Sequence, residues 1–267
     1  LPPGGVVRRS GRRRWGKEPE PLVWVSDEAV GVGALAAHRG SHLAAAGLQA
    51  VLLQDRPGLE RWWQEREFAP ERMSDPDDHH VEPVLRAFWS RVVPDPAEGA
   101  EGEEIIAPFG RDWPGLAMTA PSAGPDGPDG PDVPEDPEVA ACALADELIE
   151  RGCLPAPRLA LVPSRRAADV PTALGWGGPT NYEADTALIS VVLRSWEDRF
   201  GARLVALGFD ELHLSVAAPP PTTALALPVA AEHFALSPDN IWQGSGSIRA
   251  YTDEAVIGSG HWSFWWD

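Results

Sequence analysis

Residues 185–217 read DTALISVVLRSWEDRFGARLVALGFDELHLSVA, and the fold class follows from this stretch. Ile189, Val192, Leu193, Trp196 and Phe200 fall at i, i+3, i+4, i+7 and i+11, one continuous apolar stripe on a helix. Asp185 is placed to cap the free N–H groups at its start, and Gly201 to end it in a left-handed turn. Two strand-like runs follow, 202–207 and 212–217, joined by Gly208-Phe209-Asp210-Glu211, which suits a hairpin. Thr222 to Leu236 reads as a further helix, with Pro228 expected to start or bend it. Trp262 to Trp266 alternates as a terminal strand. Helix, hairpin, helix and strand predict an α+β domain, its sheet covered by helices on one face.

Upstream, Val139 to Glu150 reads as a helix stopped by Gly152, 159–163 as a short strand, and 165–174 as a short helix. Gly-Pro-Asp occurs three times between Gly124 and Asp132, within a Pro- and acid-rich run. Proline removes donors, glycine raises the entropy cost of ordering and the carboxylates repel, so 120–138 is expected to be a disordered acidic linker. Before it, 22–26 and 48–54 read as strands, 29–46 as helix interrupted at Gly40, and 81–92 as an amphipathic helix. The layout predicted is a smaller α/β module at 1–119, the linker, and the α+β domain at 139–267.

The net charge is −18, distributed unevenly. Residues 1–17 hold six basic and no acidic residues, so the remainder carries −24. Such a body repels phosphate backbones and argues against a nucleic-acid partner. The arginines at 8–14 with Lys17 form a basic arm at 8–17, read as a solvated terminus ahead of a nucleic-acid or membrane arm. No run of ~18 apolar residues suggests a membrane span. No apolar leader core is present, and residues preceding Leu1 in the native protein are not excluded. Cys142 and Cys153 are too few for a disulfide framework and are expected as buried or half-buried free thiols in a cytoplasmic protein.

The block from Leu159 to Asp267 resembles a bacterial family known as domain of unknown function 4253. The residues that carry the likeness are Gly175-Trp176, Asn181, Trp196, Pro238-Asp239, Gln243-Gly244 and the terminal Trp265-Trp266-Asp267. Related longer chains share the run from Phe109 to Leu116, which suggests that the first module travels with the second. Relatives often read Phe-Cys-Pro-Asp where this chain has Leu236-Ser237-Pro238-Asp239. The resemblance therefore implies no thiol nucleophile here, and it brings no established activity.

Several groupings could carry chemistry. His38 and His42 are half a zinc site at most, and Asp75-Pro76-Asp77-Asp78-His79-His80 lacks the alternation and glycine of a calcium loop. No nucleophile elbow, dinucleotide loop or phosphate loop is complete, so no metal and no cofactor are expected. Glu232 and His233 are adjacent and point about 100° apart on a helix, so neither can serve the other directly. A helix-end histidine beside Phe234 fits a structural bridge or a catalytic role with a distant partner such as Asp239. One face of the last strand must be core, leaving Trp265 under a helix or in a groove. Asn181, Asp239, Asn240 and Gln243 sit in turns and are expected, with Trp176, Glu232, His233 and Trp265, to mark the binding surface. Two functions fit: a non-enzymatic binding module for a basic protein partner, resembling immunity or antitoxin proteins, or a hydrolase or transferase using Glu232, His233, Asp239 and Asn240.

Overall fold

A computed structural model describes residues 1–9, 19–55, 58–65, 67–94, 100–119 and 136–267. Among the described residues seven strands form one sheet: β1 (Gly4–Arg8), β2 (Pro21–Ser26), β3 (Leu48–Gln54), β4 (Pro157–Pro163), β5 (Ala202–Leu207), β6 (Glu211–Val216) and β7 (His261–Trp265). Their order is β1-β2-β4-β3-β5-β6-β7, and β3 with β5 is the parallel pair in an otherwise antiparallel ladder. The helices are α1 (Ala34–His38), α2 (Ser41–Ala45), α3 (Arg61–Gln64), α4 (Val81–Val92), α5 (Ala100–Ile106), α6 (Pro137–Glu150), α7 (Val170–Leu174), α8 (Thr186–Phe200), α9 (Thr223–Leu236) and α10 (Ile248–Tyr251). The α+β class is as expected.

Two features of the layout differ from expectation. The first 119 residues do not fold as a separate module: β4 lies between β2 and β3, and β3 pairs with β5. The expected linker lies mostly outside the described residues, and its last three belong to the start of α6, where Asp136 accepts a hydrogen bond from the Glu138 N–H. The second difference concerns the faces. Alternation along β3 sends Val51 and Leu53 to one core and Ala50 and Leu52 to another. The larger core packs under α4, α7, α8 and α9. The smaller is closed by Leu35 of α1 and by Ala141, Leu144, Ala145 and Leu148 of α6, so both faces are covered. A bulge in β5 between Leu204 and Ala206 explains why Leu204 and Leu207 face one core while Val205 and Ala206 face the other.

Local rules hold where expected. Asp185 caps α8 by accepting the Ala187 N–H, and Gly201 ends it at φ 61°. Helix α9 runs unbroken through Pro228. Of the basic arm only Arg8 is in a strand, at the end of β1, which pairs with β2 in register Gly4↔Ser26 to Arg8↔Pro21; residues 10–18 lie outside the described set. Cys142, within α6, is half-buried, but Cys153, in the turn that follows α6, is exposed. No helix among the described residues is long and apolar enough to cross a membrane.

Candidate functional site

Glu232, His233 and Asn240, three of the expected residues, are buried and hydrogen-bonded within the fold. Glu232 is completely buried. It receives Arg199 through two hydrogen bonds (2.8 and 2.6 Å), the Trp196 indole N–H (2.6 Å) and the Ala117 backbone N–H (2.7 Å). A carboxylate with four donors has nothing left to offer a substrate. His233, also fully buried, is boxed by Trp196, Trp262, Phe264 and Tyr251. Burial, and then the Arg199 charge, hold its pKa well below the usual histidine value, so it is neutral. The Tyr251 hydroxyl, 3.2 Å from its Nδ1, is itself pushed up to about 12 by burial.

The turn after α9 brackets the last strand. Asn240 accepts the Trp265 N–H (3.2 Å) and donates to the Ser263 carbonyl (2.6 Å), supplying β7 with partners along its outer edge. Asp239 accepts from the Asp267 N–H and from Gln243. The Ser237 hydroxyl, at the position the resemblance would give to cysteine, is buried 2.7 Å from the Trp265 carbonyl. Asn181 and Gln243 are exposed and Trp265 half-buried. The expected core face of β7 is correct: Trp262, Phe264 and Trp266 are buried.

The expected surface converges only in part. Trp176 alone of those residues lines a cleft of about 390 Å³ beside the turn that follows β5. That volume falls within the ~300–1,000 Å³ typical of small-ligand sites. Two loops build it. One, from Gly58 through α3 to Met73, supplies Trp62, Glu67, Phe68, Arg72 and Met73; the other, 175–185, supplies Trp176 and Asp185. An antiparallel bridge between Phe68 and Trp176 joins them, and Trp176 donates its indole N–H to the Gly208 carbonyl (3.0 Å). Two glycines permit this closeness. A Cβ on Gly175, at φ 61°, would overlap the Ala69 carbonyl carbon, and one on Gly178 would overlap the Trp176 ring.

Electrostatically the cleft is balanced. Glu67 Oε1 takes two hydrogen bonds from Arg61 (3.1 and 2.8 Å), whose guanidinium lies 4.8 Å from the Phe209 ring centroid. Asp185 is partly engaged as the α8 cap. Two buried polar atoms on lining residues have no hydrogen-bond partner: Trp62 Nε1 and Glu67 Oε2. An unmatched buried donor or acceptor costs about 1–3 kcal/mol.

Sequence reasoning missed Trp62, Glu67, Phe68, Arg72 and Phe209. They lie where no periodicity guides the eye; the available signal was the Trp62-Trp63 pair and the glycines around Trp176. The expected histidine pair is broken by Gly40, which separates α1 from α2. In the Asp75–His80 run, Asp75 caps a 3₁₀ turn, Asp77 pairs with Arg194, and His79 bonds Ser74. Among the described residues no three His, Cys, Asp or Glu side chains gather in a metal-ligating group.

Residues 158–267 match the family model described as Domain of unknown function (DUF4253). The matched segment contains β4 to β7 and the Trp176 wall of the cleft; the Trp62–Arg72 wall lies outside it. No curated protein and no solved structure matches the chain.

Proposed function

We propose that this protein is a non-enzymatic binding module that takes part of a basic protein partner into the cleft between Phe68 and Trp176. The observation that carries the reading is the cleft itself, walled by Trp62, Phe68, Trp176 and Phe209. Aromatic side chains give large contact area at low entropy cost. Catalysis through Glu232 and His233 has no support in this geometry, since both are sealed in the core. The charge of −24 on residues 18–267 favours a basic partner by steering and disfavours nucleic acid. The free thiols support a reducing compartment, the cytoplasm.

The test is affinity capture from the native host with three baits: the wild type, Phe209→Ala and Glu67→Gln. Phe209 is 42% exposed, so its truncation alters the cleft with little effect on the core. A stoichiometric basic partner held by the wild type and lost from both variants supports the reading. A partner retained equally by all three baits, or turnover of a substrate with no partner, contradicts it.

A further inference from the structure

The cleft has an apolar interior and an acidic surround. Trp62, Phe68 and Trp176 are its buried walls, while Met73 and Phe209 stand nearer solvent. Much of the polar capacity of these walls is engaged within the fold. Trp176 gives its indole N–H to the Gly208 carbonyl, Glu67 Oε1 takes both Arg61 hydrogen bonds, and Asp185 Oδ1 caps α8. Trp62 Nε1 and Glu67 Oε2 are closed off from solvent and offer an entering group nothing. The Met73 thioether is fixed by the Thr186 N–H (3.2 Å) and hydroxyl (3.0 Å). A cation inside would meet Arg72, exposed at the mouth, and Arg61, which lies over Phe209. The interior therefore suits a group that asks for contact area and no hydrogen bond.

Around it the balance is negative. Residues 58–73, 175–185 and 208–211, which form the two walls and the turn beside them, hold eight acidic residues and three arginines. Asp210 is next to Phe209 in the chain. Its carboxyl is raised above its usual value by burial first, and then by the charges of Glu211 and Asp267. A cation beside Asp210 would offset that repulsion. Resting on the reading of this cleft as the binding site, we propose that it takes one aromatic side chain of the partner, and that a lysine or arginine next to that side chain lies against Asp210. The incoming ring packs on Trp176 and Phe209, meets the Met73 sulfur at its edge and offers a face to Arg72. The acidic body steers the partner, and the buried anchor fixes where it docks. A nucleotide would supply the ring but would set a phosphate where the cation belongs.

The experiment titrates heptapeptides, acetylated and amidated at their ends, into the full chain by calorimetry. Each has Trp, Phe or Ala at its centre, flanked by two Lys in one set and two Glu in the other, with adenosine monophosphate alongside. In the Lys set, a Trp or Phe centre should bind about tenfold or more tighter than Ala. With a Trp centre, Lys flanks should bind about tenfold or more tighter than Glu flanks at low salt. Asp210→Asn, which keeps the backbone carbonyl that accepts the Trp266 N–H, should narrow the preference for Lys by about threefold or more. It should leave the preference for Trp over Ala, and Tm, unchanged. Equal binding of Trp and Ala centres, equal binding of Lys and Glu flanks, an Asp210→Asn variant with the full Lys preference, tighter binding of the nucleotide, or no binding by any peptide would each overturn the proposal. The two readings separate on the partner itself. If Phe209→Ala abolishes partner binding while the peptides show no preference for an aromatic centre, the anchor proposal fails and the cleft stands. If Phe209→Ala leaves partner binding intact, both fail.

Discussion

Arg199 grips Glu232 with two hydrogen bonds, Nη1 to Oε1 at 2.8 Å and Nη2 to Oε2 at 2.6 Å, and joins α8 to α9 through the larger core. Nη1 also donates to the Ala117 carbonyl, whose own N–H bonds Glu232. The segment before the expected linker is thus clamped to the helices after it. Removing one partner of a buried ion pair costs about 3–5 kcal/mol, because the other charge stays buried and uncompensated. Glu232→Gln should lower stability by about that amount, read as a fall in denaturant midpoint. A shift under about 0.5 kcal/mol, the size expected of a surface change, would show that the pair is not holding the two segments.

The interleaved sheet makes a second prediction. Expressed alone, residues 136–267 lack β2 and β3, leaving both edges of β4 and one edge of β5 unpaired. Exposed edges of that kind aggregate. The fragment should be insoluble or lack a cooperative thermal transition, and co-expression with residues 1–119 should restore one. A cooperative melt of the isolated fragment near the full-length Tm would restore the two-module reading.

The last strand should be indispensable. Deleting residues 262–267 removes Trp262, Phe264 and Trp266, all buried. Truncating one such side chain to Ala typically costs ~3–5 kcal/mol, against a total stability of roughly 5–15 kcal/mol. The shortened chain should be molten or insoluble by circular dichroism. Retention of the full-length melting temperature would mark the strand as peripheral.

Acid should destabilise the protein through two histidines. His261 is lowered to about 4, by burial first and then by the charge of His213, whose Nδ1 lies 3.2 Å from its Nε2. His233 is lowered by burial. Between the unfolded value near 6.5 and the folded value, the unfolded chain binds more protons than the native one, so stability falls as pH drops through that window. Melts at pH 7, 6, 5 and 4 should show a declining Tm, with a shallower decline in His261→Asn. An identical slope in the variant would remove His261 from the account.

What the sequence made legible was what neighbouring residues decide. Helix α8 was readable because its stripe, its Asp185 cap and its Gly201 stop lie within 17 residues. The buried face of β7 was readable from alternation. Strand β1 was not, because a Gly-Gly-Val-Val-Arg run becomes a strand only beside β2. The pairing of β3 with β5 joins Leu53 to Leu207, a contact no local pattern encodes. Glu232 and Asn240 were chemically plausible site residues, yet Arg199, Trp196 and β7 consume their hydrogen bonds. The cleft's first wall comes from loop residues without periodicity, so only Trp176, one of the residues that carry the family resemblance, was expected in advance.

The most direct measurement compares two surfaces on one partner. Calorimetric Kd values for the captured partner would be taken for the wild type, for the cleft variants Glu67→Gln and Phe209→Ala, and for Asn181→Ala and Gln243→Ala outside the cleft. All four variants should stay within about 1 kcal/mol of wild-type stability, since none lies in the fully buried core. The cleft variants should weaken binding about tenfold or more, the other two by less than about twofold. Loss of affinity in Asn181→Ala and Gln243→Ala, with the cleft variants binding as the wild type does, would contradict the account and move the site to the turns around β7.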